Sequence, residues 1–421
     1  MRNVPLPAIG AERPIAPPVA PPVALYVHVP FCVSLCPYCD FVVYAGSAAR
    51  GPRARIEALL VAQQTELDLR ADVLDQRFGV ARPALETVYL GGGTPSLLPA
   101  EAVAGIVDKV RTRYGLTPDA EVTIEANPGP DERGDAGALR DAGVTRISFG
   151  AQSLSDAELR RLGRRHLAID VADAVAAARA AAIASISLDL LYDIPDSSLA
   201  GWIETLDAAL ALAPDHISLY ALTLDDPEAE GLTGPGGDHL PTTPGARRWR
   251  ARARREQDDD RAAEQYVHAA ERLGGTGWRG YEISNWARPG HESRHNLVYW
   301  QRRPYEAVGP GAHAFDGVTR RWNAARLDGY LAALCPEGGA APRLPPGGSE
   351  TVDPATAAAE TVILGLRTDR GVALSIASEP SFADAFSWGL DRRLLQVTGD
   401  ARIVLTTRGR LLSNELFTRL V

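Results

Sequence analysis

The sequence predicts an α/β protein in which parallel strands form an open, partial (β/α)6 barrel, followed by a smaller, mainly helical C-terminal domain. Short β-like apolar runs alternate with longer helical runs, which is the pattern of βα units repeated around a parallel sheet. Six such units are visible, whereas a closed barrel of this type needs eight. Unusual polar residues also follow the ends of successive strands, as they do where a barrel builds an active site.

Each predicted strand is a short apolar run, and each predicted helix is a longer amphipathic or Ala-rich stretch. The strands are expected at 24–29, 86–90, 121–125, 145–149, 186–191 and 215–220. The helices are expected at about 53–77, 100–114, 131–142, 155–182 and 199–212. Strand and helix alternate throughout, so the first half of the chain is expected to form one parallel sheet.

Composition divides the chain into five parts. Seven prolines in residues 1–23 predict a disordered, Pro-rich tail. The barrel domain is expected at 24–224, and a Pro/Gly linker is expected at 336–348. Between them, 225–335 is expected to hold a linker, a helix at 260–273, and a His- and aromatic-rich segment at 281–330 that covers the open side of the barrel. A winged-helix-like domain follows at 349–421, with a helix at 354–366 and a strand pair near 402–412.

Bulk properties exclude several classes of protein. A net charge of -9 argues against binding to nucleic acid or to anionic membranes. No apolar run approaches the ~18 residues of a membrane span, and the N-terminus lacks the apolar core of a signal peptide. The clustered cysteine thiols at 32–39 require a reducing compartment, so the expected location is the cytoplasm.

Three cysteines, Cys32, Cys36 and Cys39, form a CxxxCxxC cluster directly behind the first predicted strand. The chain has one other cysteine, Cys335, so disulfides would leave at least one clustered thiol unpaired. A closed structural zinc site needs four ligands, whereas an iron–sulfur cubane held by three cysteines keeps one iron open. The spacing therefore indicates a metal site, with iron–sulfur favoured over zinc.

The remaining polar residues fall at the C-terminal ends of the predicted strands. Glycines at 91–93 follow the second strand and Glu125 closes the third; Gln152 and Arg164 follow the fourth, and Asp189 lies in the fifth. In βα barrels this rim carries the active site. We therefore expect these residues and the cysteines to share one site.

Five short motifs of the chain together resemble a known superfamily. The motifs at 26–39 (YVHVPFCVSLCPYC), 91–96 (GGGTPS) and 124–129 (IEANPG) resemble the radical S-adenosylmethionine (SAM) superfamily. Those at 146–153 (RISFGAQS) and 162–166 (LGRRH) are similar to the branch that contains oxygen-independent coproporphyrinogen dehydrogenases and HemW-type haem chaperones. The match runs in order from about residue 24 to the C-terminus.

The resemblance implies a set of ligands. A [4Fe–4S] cluster would be held by Cys32, Cys36 and Cys39 and would deliver an electron that cleaves SAM to methionine and a 5'-deoxyadenosyl radical. The glycines would let backbone groups approach the methionyl end of SAM, and the polar side chains would bind its carboxylate, ammonium and hydroxyl groups. The implied SAM-binding residues are Tyr26, Tyr38, Gly92, Gly93, Thr94, Glu125, Gln152, Arg164 and Asp189.

Two further features bear on the branch. The dehydrogenases carry a fourth cysteine two residues after the third, where this chain has Phe41. The chain also has the HNxxYW motif at 295–300, which resembles the haem-associated motif of the chaperones. Neutral imidazole is a common axial haem ligand, so His295 is the candidate, with His291 and His313 as competitors. The implied partners are haem, apo-haemoprotein clients and an electron donor for the cluster.

Other interpretations stay open. The first is oxidative decarboxylation of coproporphyrinogen; the family's dehydrogenases have a folded N-terminal extension, which the Pro-rich tail does not match. The second is a non-catalytic zinc protein on a barrel scaffold. In addition, Asp193 and Asp196 stand where the family usually has glycine. This departure leaves the geometry of that loop and its effect on SAM affinity undecided.

Overall fold

The fold is built on a mixed sheet of twelve strands in the part of the chain that the structure, a computed structural model, describes: residues 19–48, 55–224 and 227–421. Most of the predicted tail, residues 1–18, lies outside this range. Its last residues belong to the folded body, because the backbone N–H groups of Ala20 and Val23 donate to the carbonyls of Asp316 and Pro304.

The strands and helices are numbered in chain order. The strands are β1 Ala24–Val29, β2 Phe31–Cys32, β3 Tyr44–Ala45, β4 Leu85–Gly92, β5 Leu116–Ala126, β6 Arg146–Gln152, β7 Ser185–Tyr192, β8 His216–Ala221, β9 Arg279–Gly280, β10 Asn285–Ala287, β11 Tyr305–Val308, β12 His313–Phe315, β13 Thr319–Asn323, β14 Gly347–Thr351, β15 Val372–Ala373, β16 Leu395–Val397 and β17 Arg402–Leu405. The helices are α1 Ile56–Phe78, α2 Ala100–Arg113, α3 Ala136–Asp141, α4 Asp156–Arg161, α5 Ala168–Ala180, α6 Leu199–Ala211, α7 Pro244–Ala253, α8 Asp259–Gly274, α9 Arg294–Trp300, α10 Leu327–Leu334, α11 Pro354–Arg367, α12 Ala383–Asp391, α13 Thr407–Leu411 and α14 Ser413–Phe417.

The six predicted strands form the centre of the sheet. They are β1, β4, β5, β6, β7 and β8, and they pair in parallel in that order. Their apolar side chains are buried; Val27, Leu90 and Ile124, for example, are fully covered. The expectation of an open α/β barrel rather than a closed one is confirmed.

The segment at 281–330 extends this sheet at both ends. Strand β10 pairs antiparallel with β8, and β11 pairs parallel with β1. Helix α9, between these strands, packs against β4 and α11. The segment therefore supplies edge strands and a helix, whereas the prediction treated it as a cover for the open side of the barrel.

One predicted helix is wrong. The stretch 155–182 forms two helices, α4 and α5, because Gly163 takes a left-handed φ of 70° that ends the first helix. A Cβ at Gly163 would lie 3.1 Å from the Pro37 ring, so the break also fits the chain closely against the cysteine loop. The break places Arg164 in a loop, where its side chain can turn into the barrel.

The C-terminal region has its own apolar core, which includes Val362, Phe386, Ile403 and Leu416. Its three-stranded sheet has the order β15-β17-β16. The predicted strand pair near 402–412 is therefore wrong: only 402–405 is a strand, and its partners lie earlier in the chain. The Thr406 side chain accepts a hydrogen bond from the Gly409 N–H and starts helix α13 there.

Among the helices of the described residues, none combines the length and the apolar character needed to span a bilayer.

Candidate functional site

A cavity of about 650 Å³ opens at the C-terminal ends of the central strands and reaches down into the barrel. Ten of the thirteen residues predicted from the sequence line it, although they come from distant parts of the chain. They are Cys32, Cys36, Tyr38, Cys39, Gly92, Gly93, Glu125, Gln152, Arg164 and Asp189. The structure thus brings the cysteine cluster and most of the predicted polar residues to one place.

The cysteine loop is held by backbone pairing on both sides. Strand β2, which ends at Cys32, pairs with β3, and the Thr94 N–H donates to the Phe31 carbonyl at 2.8 Å. The Cys39 N–H donates to the Cys36 carbonyl at 3.1 Å and closes a tight turn. All three thiols are half-buried and face the same cavity.

Two of the thiols, Cys32 and Cys39, lie in a setting that keeps them protonated when no metal compensates their charge. Burial raises the pKa of Cys32 to about 11, although its contact with the Thr94 hydroxyl, 3.2 Å away, lowers the pKa. Burial raises the pKa of Cys39 as well. Metal binding at this loop would therefore release protons.

Across the described ranges, no three His, Cys, Asp or Glu side chains are grouped closely enough to hold a single metal ion.

Two glycines at the C-terminal end of β4 leave the space that His28 and the start of the cysteine loop occupy. Gly92 has a φ of 112°, in the left-handed region. A Cβ at Gly92 would lie 2.4 Å from the His28 ring, and one at Gly93 would lie 2.6 Å from the Phe31 carbonyl oxygen. Larger residues would displace the strand ends. Because neither glycine has a side chain, their backbone groups line the cavity wall directly.

Glu125 lines the cavity beside Gly92, at the C-terminal end of β4. Its carboxylate accepts hydrogen bonds from the Gly92 N–H at 2.9 Å and the Tyr89 hydroxyl at 2.8 Å. Burial raises its pKa to about 7, and the charge of Asp189 adds to this effect against the two hydrogen bonds. A cationic ligand would favour the ionised form.

Arg164 connects the cysteine loop to the strand ends. Its guanidinium donates to the Asn127 side-chain oxygen, to the Gly150 carbonyl at 2.9 Å and to Cys36 Sγ at 3.4 Å. Its buried Nε has no hydrogen-bond partner among the described residues. Burial alone would lower the pKa of this group, but the nearby Tyr38 hydroxyl and Cys36 thiol raise it, so the guanidinium is a fixed positive charge.

Two further predicted residues line the interior wall. Gln152 ends β6 after a register shift and has a φ of 66°, a conformation that non-glycine residues rarely adopt. The Asp189 carboxylate accepts from the Ser148 hydroxyl at 3.0 Å. Burial raises the pKa of Asp189, while hydrogen bonds from Ser218 and Ser148 lower it.

Three predicted residues, Tyr26, Thr94 and His295, do not line the cavity. The Tyr26 hydroxyl is engaged by His28 Nδ1 at 2.9 Å, and Thr94 lies beneath the cysteine loop. His28 is buried, and its Nε2 contacts the Val42 carbonyl at 2.9 Å, so it is a core histidine. His295 is also buried, at the N-terminal end of β4, away from the cysteine loop.

Sequence reasoning missed two residues. Arg250 lies in a basic run of the sequence, yet it is 4% exposed and donates to the carbonyls of Pro37 at 3.0 Å and Cys39 at 2.8 Å. The spacing of Ala246, Arg250 and Ala253 on one helix face was the available signal. Asn127, the residue that bonds Arg164, was quoted in a motif but given no role.

The two aspartates that replace family glycines do adopt left-handed backbone conformations. Asp193 has a φ of 55° and Asp196 a φ of 56°. The Asp193 carboxylate accepts from Arg261 Nε at 2.9 Å, and its N–H donates to Gln265 Oε1 at 2.8 Å. Contacts with α8 therefore hold the loop in the conformation that glycine would adopt freely.

The residues present fit a cluster and SAM. The donor set is three thiols at one mouth of the cavity, which suits iron–sulfur chemistry. Beside it lie the exposed backbone of two glycines, one acid and one arginine with an unsatisfied buried nitrogen. This arrangement can receive a ligand that carries both a carboxylate and a cationic group.

Comparison with known proteins gives consistent results. Residues 26–209 match the family described as the radical SAM superfamily. The chain is 38% identical to a protein named heme chaperone HemW of Mycobacterium tuberculosis, over 97% of each chain, and 30% identical to that of Bacillus subtilis, over 93% of this chain and 97% of the other.

Among solved structures, the coproporphyrinogen III oxidase HemN of Escherichia coli, described as a radical SAM enzyme, superposes with a TM-score of 0.75. The alignment covers 95% of this chain and 90% of that one at 22% identity. The two proteins therefore share a fold.

Proposed function

The chain belongs to the HemW group of the radical SAM superfamily, and on that premise we propose that it is a haem chaperone. It binds a [4Fe–4S] cluster, SAM and haem, and it delivers haem to apo-haemoproteins. The observation that carries the proposal is the convergence of three cysteines and seven other predicted residues on one cavity. Family membership implies the cluster and SAM; the relatives' name extends the proposal to haem.

The cluster would be held by Cys32, Cys36 and Cys39. A cluster bound by three thiolates keeps one iron open to a further ligand and supplies an electron. Arg250 fixes the loop by binding two of its carbonyl groups, and Thr94 supports Cys32. These contacts orient the thiols before any metal binds, which lowers the cost of ordering the loop.

SAM would lie between the glycine strand end and the Arg164 loop. Arg164 can pair with its carboxylate, and Glu125 can accept from its ammonium or ribose hydroxyl groups. Gly92 and Gly93 bring backbone groups within reach, and Gln152 and Asp189 hold the remaining polar atoms. Tyr38 packs 6.3 Å from the Trp249 ring and closes the outer side.

Phe41 supports the chaperone over the dehydrogenase. It stands where the family's dehydrogenases carry a fourth cysteine, it lines the cavity, and it is 63% exposed. Phenylalanine has no ionisable group, so this side chain cannot supply a proton or a thiolate to a substrate. The apolar side chain instead offers a contact surface beside the cluster.

The proposal also includes an electron donor. Helix α7 lies against the cysteine loop through Arg250, and its outer face carries the exposed residues Arg248 and Arg252. A positive helix in a chain with a net charge of -9 favours an acidic donor protein.

The test is anaerobic reconstitution with iron and sulfide, followed by titration with haem. The wild-type protein is expected to take up a cluster and to bind haem to saturation. Cys32→Ala, Cys36→Ala and Cys39→Ala are expected to lose the cluster, whereas Cys335→Ser, at an exposed thiol, should keep it. A cluster-loaded protein that binds no haem but converts coproporphyrinogen to protoporphyrinogen would overturn the proposal in favour of the dehydrogenase.

A further inference from the structure

A second cavity, of about 720 Å³, lies between helix α9 and the C-terminal domain. It shares no lining residue with the cysteine site. One wall is formed by Leu297 and Trp300 of α9, and the opposite wall by Thr361 and Val362 of α11 with Ile376. Its size is within the range that binds small molecules and cofactors.

The chemistry of this cleft is amphipathic. Its walls include Leu297, Trp300, Val362 and Ile376, while its charged lining comprises five arginines and two carboxylates. Three of these arginines already pair with carboxylates, so the positive charge left to a ligand comes from Arg370 and Arg402, which make no ion pair among the described residues. An apolar slot with a cationic lining is complementary to an apolar ligand that bears carboxylates.

Two groups in the cleft are available to a ligand. Arg370 is exposed and makes no ion pair within the described part of the chain. The buried Trp300 Nε1 has no hydrogen-bond partner among those same residues. The Arg367 guanidinium lies 4.5 Å from the centre of the Trp300 ring and fixes the indole in place.

The two faces of α9 have different tasks. His295 and Val298 point into the protein and are buried, whereas Leu297 and Trp300 face the cleft. Both ring nitrogens of His295 already have partners inside the protein. Of the four HNxxYW residues, Trp300 lines this cleft and Asn296 lines the cysteine cavity.

We propose that this cleft is the haem site and that it binds the macrocycle and its carboxylates rather than the iron. The inference rests on the proposed haem-binding function and specifies where that function resides. Trp300 and Ile376 contact the ring, and Arg370 pairs with a propionate. The described residues that line the cleft include no His, Cys or Met, and the Tyr281 hydroxyl is already engaged by His216 and the Ser293 N–H, so no lining side chain is placed to ligate the iron.

The test compares haem with metal-free protoporphyrin IX, titrated into the full-length protein and followed by Soret absorbance and tryptophan quenching. Both compounds are expected to bind with affinities within severalfold of each other. Arg370→Glu is expected to weaken both by about tenfold, the effect of losing one charge-assisted contact. Thr361→Trp, from an exposed helix position, is expected to fill the cleft and weaken both.

The controls are matched in chemistry. Arg392→Glu reverses the charge of another exposed arginine of the same domain, and Ala355→Trp adds an indole to an exposed position of the same helix; neither should change affinity. Unchanged binding in both cleft variants, or binding of haem without protoporphyrin, would overturn the inference. Displacement of protoporphyrin by equimolar oleate would also overturn it, by assigning the cleft to fatty acids.

Failure of the wild-type protein to bind haem at all would be a different result. It would remove the proposed function itself, whereas normal haem binding by the cleft variants would remove only the cleft.

Discussion

The imidazole of His295 is joined to the sheet by a 2.8 Å contact between its Nδ1 and the hydroxyl of Thr87. Its Nε2 contacts the Tyr299 hydroxyl, also at 2.8 Å, and its backbone N–H donates to Glu121. Burial lowers the pKa of His295 to about 3, so the ring is neutral. To ligate haem iron, the buried His295 would have to give up one of these two side-chain contacts and become accessible to the haem; here it anchors α9 to β4.

Removal of this anchor should destabilise the protein. His295→Ala leaves a cavity and two buried hydroxyls without a partner, so the free energy of unfolding is expected to fall by about 3 kcal/mol. Urea unfolding measures it. His291→Ala, at a half-buried position of the preceding loop, is the control and should cost much less. Unchanged stability of His295→Ala together with lost haem binding would instead identify His295 as the ligand.

The neighbouring Arg164 and Arg165 should behave differently. Arg164 is directed into the cavity, whereas Arg165 is exposed and lies 3.5 Å from Glu132. Arg164→Lys keeps the charge but loses the planar fork that holds Asn127 and Gly150. We expect SAM affinity, measured by calorimetry, to fall at least about tenfold. Arg165→Lys should leave it unchanged, and the opposite pattern would refute the assignment.

SAM binding should depend on pH through Glu125. With a pKa of about 7 this carboxyl is mostly protonated at pH 6 and mostly ionised at pH 8. SAM is cationic, so its affinity should rise by about tenfold over that interval. Glu125→Gln should flatten the pH profile, which equilibrium binding can measure. A variant that retains the wild-type pH dependence would exclude Glu125 as the titrating group.

The same shift has an opposite effect on stability. The folded pKa of Glu125 lies above the unfolded value of about 4.3, so ionisation is disfavoured in the fold. Its contribution to stability is fully present below that value and is lost as pH rises through about 7. The SAM-free protein should therefore lose stability, relative to Glu125→Gln, over the interval in which SAM affinity increases.

The left-handed loop at Asp193 should depend on Arg261. Arg261→Ala leaves a largely buried carboxylate without its cation, and we expect a loss of about 2 kcal/mol in urea unfolding. Glycine at position 193 needs no such support, because it adopts positive φ freely. The double variant Asp193→Gly/Arg261→Ala should therefore be more stable than Arg261→Ala alone. Simple additivity of the two changes would show that the pair is not coupled.

Much of the site could be predicted because it lies on regular elements. The six central strands are rich in buried apolar residues, and the parallel arrangement places all their C-terminal ends on one rim. Cys32, Glu125 and Asp189 follow from that rule alone. Their convergence did not depend on details of loop conformation.

The features that could not be predicted depend on tertiary contacts. Strands β10 and β11 are three and four residues long, too short for a period to be read, and they exist because the edges of the sheet are available to them. Arg250 lies in a run of arginines and differs from its neighbours only by the carbonyl groups that it meets. His295 was a plausible ligand in sequence because only packing reveals that both its nitrogens are occupied.

The most direct test of the central claim is transfer of haem from the cluster-loaded protein to an apo-haemoprotein. The protein is reconstituted anaerobically, loaded with one equivalent of haem and mixed with the apo-protein, and the Soret band of the acceptor is followed. We expect the acceptor to gain haem faster from the wild-type protein than from a Cys32→Ala variant loaded in the same way. Equal transfer rates from both proteins, or retention of haem by the wild type, would contradict it.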